Sequence, residues 1–102
     1  MIYYKVTTKH KRSLGLKRNP TILNFKIGEW TLSPNVTHGE PDLGGIWVAT
    51  TLSSAKKLYK YMLNKYNMVC LIYEVKIGDM LYSNNYRTKT DKVKLTKRIL
   101  YN

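Results

Sequence analysis

Cysteine is nearly absent from this chain: Cys70 is the only one in 102 residues. An internal disulfide framework and a multi-cysteine zinc site are therefore excluded. No apolar run approaches the roughly 18 residues of a membrane-spanning helix, so no membrane partner is expected. Met1 to Val6 is too short an apolar segment for a secretory signal, and lysines follow at once. Catalytic signatures are missing too. There is no G-x-x-x-x-G-K phosphate loop and no kinase or hydrolase motif. His38-Gly39-Glu40 matches half of a zinc deaminase site, but the P-C-x-x-C half is lacking. Glu40 and Asp42 sit in a Pro/Gly-rich loop that gives no reason for shifted pKa values. Cys70, among Val69, Leu71 and Ile72, reads as a buried, inert thiol. No enzyme, cofactor or metal is expected.

What is present begins with a repeat. Thr21–Ser33 (TILNFKIGEWTLS) returns fifty positions later as Leu71–Ser83 (LIYEVKIGDMLYS), with five of thirteen positions identical. About one identity would arise by chance, which favours an internal duplication. Each copy alternates apolar and polar residues up to a Gly-acid pair, Gly28-Glu29 or Gly78-Asp79. That pattern predicts a β-hairpin with a type II′ turn, glycine supplying the positive φ. Ile27 would then face Trp30 and Phe25 face Leu32, and in the copy Ile77 would face Met80 and Val75 face Tyr82. A glycine bulge in one long strand is the competing reading.

Around these segments the chain reads in order as follows. Ile2–Val6 is a strand. Residues 10–19 hold a short helical turn capped by Ser13 and stopped by Pro20. Pro34–Gly45 is a loop, and Ile46–Thr50 a short strand. Leu52–Tyr66 is the clearest helix: Leu52, Ala55, Leu58, Tyr59, Met62, Leu63 and Tyr66 share one face. Ser53 or Ser54 would cap its start, and Asn67 would end it in the left-handed conformation. Asn84–Asp91 is a second loop. Val93–Ile99 is a last strand with Val93, Leu95 and Ile99 inward; Lys97 on that inward face marks it as an edge. The expected fold is a single α+β domain, 1–102. In it two pseudo-symmetric copies of a helix–hairpin–loop–strand motif, about 1–50 and 51–102, pack around one core.

The formal net charge is +12 from 18 Lys and Arg against six Asp and Glu. Such a balance attracts polyanions: nucleic acid, acidic proteins or anionic surfaces. Nine tyrosines, abundant lysine and no glutamine match the composition of proteins that work at high temperature. In this overall character the chain resembles the small proteins of filamentous viruses that infect hyperthermophilic archaea. The resemblance implies a viral accessory or structural protein in the host cytoplasm or associated with the virion. It carries over no catalytic or binding residue.

Two interaction sites are expected. A groove between the repeats would take a protein or peptide, acidic in character, with Trp47, Tyr4, Tyr86 and Tyr101 as aromatic contacts. Trp47 belongs to this set if its face of the strand is uncovered, whereas Trp30 reads as core. Strands 2–6 and 93–99 would offer backbone edges to the peptide. The alternative is sequence-nonspecific nucleic-acid binding through Lys9, Lys11, Arg12, Lys17 and Arg18, with His10 in the same cluster. No RRM, KH, helix-turn-helix or zinc-finger pattern is present.

Overall fold

The longest feature among the described residues is one bent hairpin from Cys70 to Ile99. The computed structural model describes residues 2–14, 22–33 and 45–101. Its elements are β1 (Tyr3–Thr8), β2 (Trp30–Leu32), β3 (Ile46–Ala49), α1 (Leu52–Tyr66), β4 (Cys70–Ile77), β5 (Met80–Ser83), β6 (Arg87–Thr90) and β7 (Lys92–Ile99). The outgoing arm is β4 followed by β5, and the returning arm is β6 followed by β7. At the root Ile77 pairs with Val93 and Val75 with Leu95. Toward the tip Met80 pairs with Thr90 and Ser83 with Thr88. The tip closes where the Asn84 side chain accepts the N–H groups of Tyr86 and Arg87, at 2.8 and 2.9 Å.

The hairpin bends where β4 gives way to β5. There Gly78 N–H donates to Lys92 O at 3.0 Å and Asp91 N–H to Asp79 O at 3.3 Å. Asp79 N–H donates in turn to the Asp91 carboxylate at 2.7 Å. Thr90, wholly buried, donates its hydroxyl to Asp79 O at 2.8 Å. The bend sends the two halves of the hairpin to different neighbours. All strands form one sheet in the order β2-β7-β4-β1-β3-β6-β5. Every pairing between them is antiparallel. β6 and β7 are separated by Asp91 alone in the chain, yet β4, β1 and β3 stand between them in the sheet. The sheet therefore curls until the two ends of one hairpin flank the same set of strands.

Curling gives the sheet an inside and an outside, each with its own apolar cluster. Inside lie Tyr3, Phe25, Ile46, Val48, Tyr73, Val75, Val93 and Leu95. Outside, α1 covers Val6, Cys70 and Ile72 with Ala55 and Met62, flanked by Tyr4, Ala49, Leu52, Leu58, Tyr59, Ile99 and Tyr101. Thr51 caps the helix, its hydroxyl accepting Ser54 N–H at 3.1 Å. Asn67 ends it at φ 53. Lys5, only 9 % exposed, reaches across the inside from β1 and donates its ammonium to Trp47 O of β3 at 2.6 Å.

This architecture corrects the expected α+β fold of two helix–hairpin–loop–strand copies. Among the described residues one helix serves one curled, antiparallel sheet. Residues 10–14, the described part of the expected first helix, form a turn and an isolated bridge, Arg12 to Asn24. Neither tight hairpin exists: Ile77 faces Val93 rather than Met80, and Trp30 faces Lys94 rather than Ile27. The shared KIG sequence instead marks a local turn that enters an edge strand, β2 after Gly28 and β5 after Gly78. Strands 2–6 and 93–99 are not edges either. β1 is central, and β7 lies between β2 and β4. The Lys97 conflict is resolved by a bulge opposite Glu74 and Val75, which puts Ile99 opposite Ile72 on the helix side. Leu63 and Tyr66 remain exposed although they share the helical period, and Thr51 rather than Ser53 or Ser54 is the cap.

The two repeat glycines have different physical reasons. Gly28 has φ +80, and a Cβ there would meet open space. Gly78 lacks positive φ, but a Cβ there would strike the Asp91 carboxylate and approach Lys92 Cγ at 2.5 Å. Gly78→Ala should therefore cost about 1–3 kcal/mol through overpacking. Chemical denaturation of the variant alone and in a Lys92→Ala background checks the cause. Part of the cost should disappear with the Lys92 side chain; an equal cost in both backgrounds would contradict crowding.

Candidate functional site

The alternation that buries Val93 and Leu95 turns Lys92 and Lys94 to the outer face of the sheet. Helix α1 covers a different part of that face, over Val6, Cys70 and Ile72. Register then assembles the cluster. Lys94 stands opposite Trp30 on one side and Lys76 on the other, and Lys92 stands opposite Leu32. Directly opposed residues share a face, with Cβ atoms about 5 Å apart. Trp30 is 38 % exposed and Leu32 64 %. The ammonium groups of Lys92 and Lys94 lie 4.7 and 4.9 Å from the Trp30 ring centroid.

Both cations are held by the negative face of the indole, an attraction of about 0.5–1 kcal/mol each at an exposed site. They also repel one another, and Lys76 adds a third charge in the same row. An anion placed among them would relieve that repulsion. Chemically, the arrangement is a basic strip with an aromatic surface in it, beside the outer edge of β2, to which no described strand pairs. The exposed acid nearest along the chain is Glu29, in the turn before Trp30.

The residues singled out from sequence are scattered. Trp47 is half-buried beneath Arg87, whose guanidinium carbon lies 4.0 Å from the ring, with Tyr82 edge-on at 5.8 Å. Tyr86 is highly exposed in the hairpin tip next to Arg87. Tyr4 packs in the apolar cluster under α1, and Tyr101 lies edge-on to Tyr59 of the helix at 5.1 Å. Among the described residues no second helix–hairpin unit forms, so no seam between repeats gathers these four. Lys9, His10, Lys11 and Arg12 follow β1 in a tight turn, Thr8 N–H donating to Arg12 O at 2.9 Å. The Arg12 guanidinium donates to Asn24 Oδ1 at 2.9 Å. Lys17 and Arg18, like His38, Glu40 and Asp42, lie outside the described residues.

Two nucleophilic side chains are buried. Lys5 donates to a backbone carbonyl and stands 5.5 Å from the centroid of the Phe25 ring. Burial pushes its amine down from the usual 10.5 to about 8. Cys70 is buried under α1, and burial pushes its thiol up. Among the described residues no group of His, Cys, Asp and Glu could hold a metal ion. Nor is any described helix long and apolar enough to cross a membrane. Compared with family models, curated proteins and solved structures, the chain matches none.

Both groups yield tests. The folded Lys5 amine sheds its proton near pH 8, while the unfolded one keeps it to about 10.5. Stability should thus rise across that window and carry a constant penalty below it. Measured against Lys5→Met, the wild type should gain on the order of 3 kcal/mol from pH 8 to 10.5; a flat difference would contradict the assignment. Iodoacetamide should alkylate Cys70 in the native protein roughly tenfold or more slowly than in the urea-unfolded chain, as a buried, protonated thiol requires.

Proposed function

We propose that the protein binds nucleic acid without sequence specificity, through the outer face of β2, β7 and β4. The observation that carries this reading is the convergence of Lys92 and Lys94 on the exposed ring of Trp30, with Lys76 opposite Lys94 as the next cation in the row. Lysines neutralise phosphates and release condensed counterions, which supplies affinity independent of sequence. The net charge of +12 adds long-range attraction for the same ligand. The basic segment of Lys9, His10, Lys11 and Arg12 holds no tryptophan or tyrosine, and Arg12 is engaged with Asn24.

A second reading has its own support. The outer edge of β2 is open among the described strands, and an extended acidic peptide could add there by main-chain hydrogen bonds, with the same lysines alongside. Competition separates the two. A glutamate-rich peptide matched in charge to a DNA oligonucleotide should displace the DNA only weakly if nucleic acid is the ligand.

Binding should be in the micromolar range or weaker at physiological salt and should fall steeply as salt rises. Changing Lys76, Lys92 and Lys94 together to glutamine should remove most of the affinity. It should also flatten the slope of log K against log salt by about 2–3, near 0.9 per lost phosphate contact. The same changes at Lys9, Lys11 and Arg12 should have the smaller effect. Unaltered binding by the first triple variant would overturn the proposal.

A further inference from the structure

The nature of that ligand can be taken one step further, on the reading just given. We infer that the face takes single-stranded nucleic acid, with Trp30 stacking on an unpaired base while Lys92 and Lys94 hold the phosphates beside it.

Charge alone would suit a duplex as well as a single strand. The indole does not. A duplex turns phosphates outward and keeps the faces of its bases stacked against one another, so an exposed ring among lysines would find nothing to stack on. A single strand offers both groups at once, and stacking tolerates any base because each has a π-face. Trp30 is the ring placed for this. It lies 38 % exposed on an edge strand, whereas Trp47 is pinned between Arg87 and Tyr82.

The spacing agrees. Lys92 and Lys94 are two residues apart on one strand, about 7 Å by strand geometry. That is the order of the step between successive phosphates in an extended single strand. Lys76, directly opposite Lys94 on β4, continues the row away from the edge. Leu32, two residues beyond Trp30 and 64 % exposed, extends the apolar surface in the other direction.

The free protein already contains the exchange that binding requires. Each ammonium rests against the ring at 4.7 or 4.9 Å. Such a contact is weak at an exposed site. An arriving phosphate draws the ammonium off the indole, strengthens its hydrogen bonding, and uncovers the ring face for a base. Lysine, with its flexible four-carbon stem, can make that move without disturbing the strand.

The test compares a fluorescently labelled oligothymidylate of about 12 nucleotides with a duplex of equal length, by anisotropy at low salt. Wild type, Trp30→Ala and Trp30→Phe are measured, each after its thermal midpoint confirms folding. Trp30→Ala should lose about tenfold or more in affinity for the single strand, with less than about twofold change for the duplex. Trp30→Phe should retain most of the single-strand affinity. In a Trp47→Phe background, the remaining Trp30 fluorescence should be quenched by oligothymidylate and not by duplex; if that background fails to fold, the anisotropy series still decides. Equal losses on both ligands, or none on either, would overturn the inference while leaving electrostatic nucleic-acid binding intact. Failure to bind either ligand at low salt would instead remove the reading beneath it.

Discussion

The bend in the 70–99 hairpin is the constraint on which the rest of the molecule depends. A straight two-stranded ribbon could bury only one face and would need a second layer to do so. Turning it at Gly78, Asp79 and Asp91 lets its root pair with β1 and its tip with β3. The sheet then encloses its own core, a way for a chain of about 100 residues to bury enough apolar surface. The bend is possible because Gly78 leaves room for Asp91 and Lys92, and because Asp91 and Thr90 supply partners for the backbone at the corner. Lys5 fastens β1 to β3 inside the curl by its bond to the Trp47 carbonyl, so a buried cation stands where many cores have only apolar contact.

Much of the local structure is legible in the sequence, and its pairing is not. The helix runs over Leu52–Tyr66 with Asn67 at its left-handed end, as its apolar period and residue types require. Val93 and Leu95 point inward because alternation decides which side chain goes to which face. Alternation does not say which strand lies alongside. Glycine followed by an acid, between two alternating runs, has the composition of a tight hairpin, and only tertiary packing distinguishes it from a bend in a longer one. The repeated KIG segment added false weight, since its two glycines adopt different backbone conformations and each only precedes an edge strand.

The candidate site follows the same division. Lys92, Lys94 and Lys76 are readable from sequence as outward residues of their strands. Trp30 is not readable as their neighbour, because its strand has three residues and its partner lies more than sixty positions away. Pairing Trp30 with Ile27 hides it in a core; pairing it with Lys94 exposes it among cations. A tryptophan beside a very short strand, with alternating lysines elsewhere in a basic chain, is the signal that could have pointed to it. Charge density along the sequence pointed to residues 9–18, whose described cations Lys9, Lys11 and Arg12 follow β1 in a tight turn.

On the proposed reading, nucleic-acid recognition depends chiefly on where register places charge, with the net charge adding long-range attraction. Chemical-shift mapping of the isotopically labelled protein during titration with a single-stranded oligonucleotide tests this most directly. The largest changes should fall on the Trp30 indole and on the backbone amides of Lys76, Lys92 and Lys94, with Leu32 beside them. Changes confined to Lys9–Arg12, or to the surface of α1, would contradict it.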